Sequence, residues 1–342
     1  MIISTDANDR YRLLGTLGSP YSMKLRAIMR YRRLPHDWVL RTTRNQAETE
    51  YMKPNLLPML RYPGEDRYRV DTTPLAYDLE ARHPRQRSII PDDPGLAFLC
   101  HLLEDMADEW LTKAMFHYRW FHAADIDYAA HWIADDAFPD TRGAERDAMA
   151  TQFADRQIGR MPIVGCTPEN APVIEDSFHR ILALLESRVS VYDFLFGSRP
   201  SLADFGLFGQ LKTLATDPSP MAIMRASAMK TESWARQLDD ASGIEGDWLA
   251  GGDDLPPATL GLLALAGDYY LPFLLANAAA MDRGEKTFSL TYAKGPYSQG
   301  TFGYQVKCLI ELRRRFGELN GEAAARTRSI LQQTGCLEAL TQ

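Results

Sequence analysis

The chain has 342 residues, 45% of them apolar and 24% charged. That excludes a disordered or fibrous protein and fits two domains of roughly 150 residues with an appendage. A net charge of −7 and a pI near 5.6 leave no electrostatic footprint for nucleic acid. Cys100, Cys166, Cys308 and Cys336 stand far apart with no C-x-x-C pair, so neither a disulfide scaffold nor a zinc module is expected, and a reducing cytoplasm is the simple reading.

Met1 to Arg12 carries Asp6, Asp9 and Arg10 with no apolar core, unlike a signal peptide. Tyr11 to Leu17 predicts a strand, closed by Gly18-Ser19-Pro20. Met23 to Tyr31 predicts a helix with Leu25, Ile28 and Met29 inward and Lys24, Arg26 and Arg30 outward. His36 to Arg41 predicts a second strand. Leu57 to Leu60 and Tyr68 to Val70 predict two more, joined by the turn Pro63-Gly64-Glu65-Asp66. Thr73-Pro74 opens a helix through Glu80, with threonine as N-cap and proline in the first turn. His83-Pro84 ends it.

From Pro94 the pattern is helical. Leu96 to Trp120 predicts one long amphipathic helix, and Asp176 to Val191 another. Ser201-Leu202-Ala203-Asp204 is a capping box, with Asp for Glu, ahead of Phe205 to Leu214. His117 and His122 sit about 140° apart on a helix, poor geometry for one ion. No metal is expected, and the aromatic segment around them is read as lining a pocket. Leu255 to Ala280 is apolar except for Asp268 and Asn277. A central aspartate costs about 2.5–3.5 kcal/mol in a membrane span, and Pro256, Pro257 and Pro272 interrupt the run. The expectation is therefore a buried helix, or two broken at Gly267-Asp268, and no membrane association. Phe288 to Tyr292 predicts a strand, Lys294-Gly295-Pro296 a turn, and Gln305 to Phe316 a helix. Its terminal Arg313-Arg314-Arg315 reads as a solvated C-terminus, with an anion site as the alternative.

A β-α-β-ββ-α unit followed by helices resembles the cytosolic glutathione transferase family. The resemblance rests on Gly18-Ser-Pro-Tyr-Ser-Met-Lys-Leu-Arg26, Asn55-Leu-Leu-Pro-Met-Leu60 and Asp71-Thr-Thr-Pro-Leu75. Ile89-Ile-Pro-Asp-Asp-Pro94 and Pro200-Ser-Leu-Ala-Asp-Phe205 support it, and together these motifs cover roughly residues 11–240. It implies a fold of α+β class, a thioredoxin-like domain over 1–90 followed by an all-α domain over 95–250. Residues 251–342 would form an extra C-terminal extension packed on the helices. It also implies a homodimer.

By the same resemblance, Ser19 matches the catalytic serine of serine-type members, with Ser22 the alternative donor; capping alone would also account for Ser19. A hydroxyl at a helix N-terminus can donate to a thiol's sulfur and favour the thiolate. A thiol of pKa about 8.5 is ~3% ionised at pH 7, and a two-unit drop needs about 2.7 kcal/mol. One charge-assisted hydrogen bond (about 1.5–3) plus the helix terminus (about 0.3–1) can supply that. Pro58, if cis, would let the Leu57 backbone pair with the peptide's cysteinyl amide. Asp71 would take the γ-glutamyl ammonium, Thr72 the α-carboxylate at a helix N-terminus, and Lys53 or Arg41 the glycyl carboxylate. Cysteine is missing from the Ser19 loop, which excludes disulfide exchange through a protein thiolate there. Glutathione as co-substrate, transferred to a small apolar electrophile, is the expected chemistry. A non-catalytic binding member, an isomerase or a dehalogenase are the alternatives.

Overall fold

In the N-terminal strands both faces are apolar, so helices and loops must cover the sheet on both sides. The computed structural model describes residues 9–84, 87–189 and 193–341. Its N-terminal elements are β1 (Tyr11–Gly15), α1 (Pro20–Tyr31), β2 (His36–Leu40), a 3-10 turn (Thr43–Thr49), β3 (Met59–Arg61), β4 (Tyr68–Arg69) and α2 (Thr72–Arg82). The sheet order is β2-β1-β3-β4, with β1 parallel to β2 and antiparallel to β3. Leu13 packs with Leu25 and Met29 of α1 and Leu75 and Leu79 of α2, while Leu14 packs the other face with Met59 and Tyr68. This is the thioredoxin-like arrangement.

The outward face expected for α1 is corrected: Lys24 is wholly buried and Arg26 is 6% exposed. The cause is α8 (Leu202–Leu214), which lies against α1 on the side away from the sheet. Close approach is possible because Gly209 has no Cβ; one there would sit 2.5 Å from the Pro20 carbonyl oxygen. Every residue of α8 except Lys212 is buried, as expected of a helix apolar all round. Its start is the predicted capping box, in which the Ser201 and Leu195 N–H groups both donate to Asp204. Burial pushes the Asp204 carboxyl up to about 6.

The predicted helix Leu96 to Trp120 is three pieces: α3 (Pro94–Met106), a π-helical turn (Ala107–Leu111) and α4 (Thr112–Phe121). There follow α5 (Ala123–Ala137), α6 (Gly143–Ile158), α7 (Ala171–Glu186), α9 (Pro218–Ser227) and α10 (Met229–Leu238). Val191, the expected end of one helix, lies outside the described residues.

The C-terminal segment comprises α11 (Pro257–Leu265), a second π-helical turn (Ala266–Tyr270), α12 (Leu271–Asp282), the hairpin β5 (Thr287–Tyr292) and β6 (Gly295–Gly300), α13 (Gly303–Gly317), α14 (Gly321–Gln333) and α15 (Leu337–Thr341). The apolar run is one continuous helix from Pro257 to Asp282, the first of the two expected forms, with a π-helical turn and no break at Gly267-Asp268. It is long and apolar enough to cross a membrane, yet 61% of its most hydrophobic window is buried within the fold. Leu262, Leu263, Leu265, Tyr270, Phe273 and Leu274 join the same core as α3, α4 and α8. The expected turn at Lys294-Gly295-Pro296 falls earlier, at Ala293-Lys294, and Gly295-Pro296 open β6: both are poor strand formers, but Tyr297 and Gln299 alternate inward. There Gln299 and the rings of Trp110, Phe273 and Tyr297 surround the buried Lys113 ammonium.

Candidate functional site

Strand register brings the expected site residues to one edge. Leu14 pairs with Met59 and Leu60 with Arg69. Gly15 ends β1, Pro58 directly precedes β3 and Asp71 lies two residues past β4, so the three form a row at one end of the sheet. Arg41 joins the row from β2, donating its N–H to the Gly15 carbonyl at 2.8 Å. Both α1 and α2 begin at this edge, so two helix N-termini open on it.

Ser19 is the N-cap of α1 and is half-buried; its Oγ accepts from the Ser22 N–H at 3.2 Å. That bond uses a lone pair and leaves the hydroxyl proton free to point outward. Ser22 is fully buried, and its Oγ accepts from the Thr16 N–H at 3.3 Å. A Cβ on Gly15 would meet that oxygen at 2.7 Å, so Ser22 fills the floor beneath the loop. Tyr21 turns to the helices and donates to the Asp108 carbonyl at 2.9 Å. The Leu57–Pro58 peptide is cis, Pro58 is buried and Leu57 half-buried. Lys53 is exposed. Arg41 is half-buried, its Nε enclosed without a partner, and burial lowers its pKa.

Asp71, not a threonine, is the N-cap of α2, with φ at +78°. A non-glycine residue in that region is sparsely populated, and such residues concentrate at functional sites. Thr72 and Thr73 lie within the first turn. Thr73 Oγ1 donates to Glu104 of α3 at 2.5 Å instead of capping its own helix.

Beneath that turn lies a charged cluster that sequence reasoning missed. The Lys24 ammonium bonds Glu104, Asp108 (2.6 Å) and Thr72 Oγ1 (3.4 Å), all enclosed between α1, α2 and the first π-helical turn. Burial alone would lower Lys24; Asp108 and Glu104 outweigh it and hold the ammonium above its ordinary value. One cation serves two carboxylates, so burial pushes Asp108 up, while Lys24 overcomes burial at Glu104 and holds that carboxyl down. Nearby Glu109 is raised by burial. The available signal was four acids, Glu104, Asp105, Asp108 and Glu109, in six residues of an otherwise apolar helix.

On the opposite side the helices grip the Ser19 loop. Buried Arg119 donates to the Gly18 carbonyl at 2.7 Å and pairs with buried Asp217 at 2.7 Å. Gly18 backs on Trp132 and Ile133 of α5, which form the apolar surface nearest the loop. The segment around His117 faces elsewhere, against Glu175 and Phe178 of α7. The helical-wheel argument for its histidines also fails, because His122 lies past the end of α4 in extended backbone. Donor atoms of His117, His122 and Glu175 come within 4.8 Å of one another. His117 and Glu175 are joined by a hydrogen bond of 2.9 Å. All four cysteines are buried free thiols. A cavity of about 360 Å³, between Asp93, Leu96, Gly251, Leu260 and Arg326, contains none of the row residues.

A thioredoxin-like sheet, with a helix-capping serine, a cis-proline and an Asp-Thr helix start at one end, is joined to a helical domain. Family models agree: the glutathione S-transferase N-terminal domain matches residues 13–87 and the C-terminal domain matches residues 143–251. The chain belongs to the glutathione S-transferase family. Among solved structures it is similar to a glutathione S-transferase from Methylobacterium radiotolerans in complex with glutathione sulfonate (18% identity, 72% of this chain and 99% of that one, TM-score 0.42). It is also similar to a beta-etherase from a Sphingobium species (17% identity, 74% and 98% covered, TM-score 0.46). A third is a glutathione S-transferase of Ceriporiopsis subvermispora in complex with glutathione (13% identity, 69% and 98% covered, TM-score 0.46). No curated protein matches the chain.

Proposed function

We propose that the protein is a glutathione transferase that binds glutathione along the β1–β3–β4 edge and conjugates it to an apolar electrophile. The observation that carries this reading is the cis Leu57–Pro58 peptide at the start of β3, with Ser19 capping α1 and Asp71-Thr72 opening α2 at the same end of the sheet. The Leu57 backbone pairs with the cysteinyl amide. Asp71 takes the γ-glutamyl ammonium and Thr72 the adjacent carboxylate, with Arg41 or Lys53 at the glycyl end.

Ser19 Oγ–H donates to the sulfur and lowers the thiol's pKa, so that the proton passes to solvent and the thiolate remains. Sulfur then forms its bond to the electrophilic carbon while the bond to the leaving group, or the π bond of an acceptor, breaks. Trp132 and Ile133 beside Gly18 give the electrophile an apolar wall. Calorimetric titration with glutathione, followed by a thiol-conjugation assay with an activated aryl halide, tests this. Micromolar-to-millimolar binding with turnover is expected. Absence of binding refutes the reading, and binding without turnover confines the protein to a glutathione-binding role.

A further inference from the structure

The C-terminal segment returns to the edge of the sheet. Tyr304, at the start of α13, donates its hydroxyl to Asp71 Oδ2 at 3.1 Å. The adjacent Gln305 donates its amide to Glu109 Oε2 at 3.3 Å, and its own Oε1 is enclosed without a partner. Two consecutive residues of one helical turn thus hold two carboxylates from different parts of the chain. The segment is itself fixed: buried Asn277 both donates to the Phe302 carbonyl and accepts from the Phe302 N–H, each at 2.9 Å. Burial, with Asp71 and Glu109 nearby, raises the Tyr304 phenol, so it stays a donor throughout the physiological range.

We propose that residues 302–305 form the outer wall of the amino-acid end of the peptide site, with Asp71 and Glu109 sharing the ligand's ammonium and Tyr304 as the positioning residue that orients Asp71. The inference rests on the glutathione reading above and adds to it Glu109, Tyr304 and a function for the C-terminal segment. Several physical arguments converge. An ammonium has three donors and can serve two carboxylates at once, whereas the phenol occupies only one of about four lone-pair positions on Asp71. A carboxylate oriented before the ligand arrives loses less freedom on binding. The half-exposed rings of Phe302 and Tyr304, 6.5 Å apart, stand beside the site, and aromatic faces attract cations.

The test is calorimetry on the full chain with glutathione and with glutaryl-cysteinyl-glycine, which lacks only the α-amino group. Wild-type protein is expected to prefer glutathione by about tenfold or more, as for a charge-assisted hydrogen bond. Tyr304→Phe keeps the ring and removes the donor. It should cut that preference about fivefold, the mid-range of a net hydrogen bond, while binding of the desamino peptide stays within about twofold. Glu109→Gln should reduce the preference in the same sense. Equal loss for both peptides, or an unchanged preference in both variants, makes the segment a structural neighbour only and overturns the proposal. Equal wild-type affinity for the two peptides overturns it as well, together with the assignment of the ammonium to Asp71, while glutathione binding itself stands. A wild-type protein that binds neither peptide overturns both.

Discussion

Lys24→Met offers the sharpest test of how the two domains are joined at the site. The substitution keeps volume and helix propensity but removes the ammonium that bonds both Glu104 and Asp108, whose side chains are 0% and 10% exposed. Glu104 Oε2 and Asp108 Oδ1 already lack hydrogen-bond partners. Breaking a buried ion pair by removing one partner costs about 3–5 kcal/mol, and here two carboxylates are left uncompensated. At about 2–4 °C per kcal/mol for domains of this size, Tm should fall by roughly 10 °C at pH 7.5. The loss should shrink at about pH 5, where a raised carboxyl takes up a proton instead of remaining buried and charged. Lys24→Met/Glu104→Gln/Asp108→Asn, which removes all three charges, should recover most of the stability, because neutral replacement of buried ion groups is often near neutral. Thermal unfolding of the three proteins at both pH values decides. A single variant within 1 kcal/mol of wild type, or a triple variant no better than the single, would refute the account of a charge-compensated cluster.

Ser19→Ala should lower kcat/KM by about 10- to 150-fold near pH 7, from a lost charged hydrogen bond of about 1.5–3 kcal/mol, and by much less above about pH 8.5, where the thiol ionises unaided. Ser22→Ala should lack that pH signature; if it alone shows one, the thiol's donor is Ser22. Asp71→Asn should weaken glutathione about tenfold or more in calorimetry and leave the desamino peptide nearly unchanged. His101 is 3% exposed, and burial lowers its pKa to about 4. Its contribution is therefore fully present above about pH 6.5 and lost as pH falls toward 4, by about 3 kcal/mol in all. His101→Gln should flatten that part of the stability profile, and an unchanged slope would assign it to other groups. Truncation after Asp254 should give an insoluble or strongly destabilised chain, since Leu262, Leu263, Phe273 and Leu274 are fully buried. A soluble truncation with unchanged Tm and sedimentation would show the segment to be dispensable.

Much of the fold was legible because periodicity and punctuation agree: the β1–α1–β2 order, the capping box at Ser201 and the buried helix over the apolar run all follow local rules. What was not legible depends on tertiary company. Lys24 reads as an exposed position until α8 covers it. The π-helical turn at 107–111 leaves no mark on a pattern of apolar spacing. Strand β6 has the composition of a loop and exists because Tyr297 and Gln299 find a buried face. In the site, Ser19, Pro58 and Asp71 stood out as motif residues. The contact of Tyr304 with Asp71 did not, since nothing local pairs positions so remote in the chain.

The contact between Tyr304 and Asp71 spans 233 residues, and this separation also sets an order of events during synthesis. At about 5–20 residues per second, the sheet edge that carries Asp71 is made about 10–50 s before its phenol partner. Over that interval the nascent N-terminal domain has its strands and both helix starts but no outer wall at the amino-acid end. Competence to discriminate ligands by that end would thus arrive late, with the last few dozen residues. On the proposed glutathione reading, a ribosome stalled before Phe302 would carry the sheet end with Asp71 but not the Tyr304 hydroxyl that bonds it.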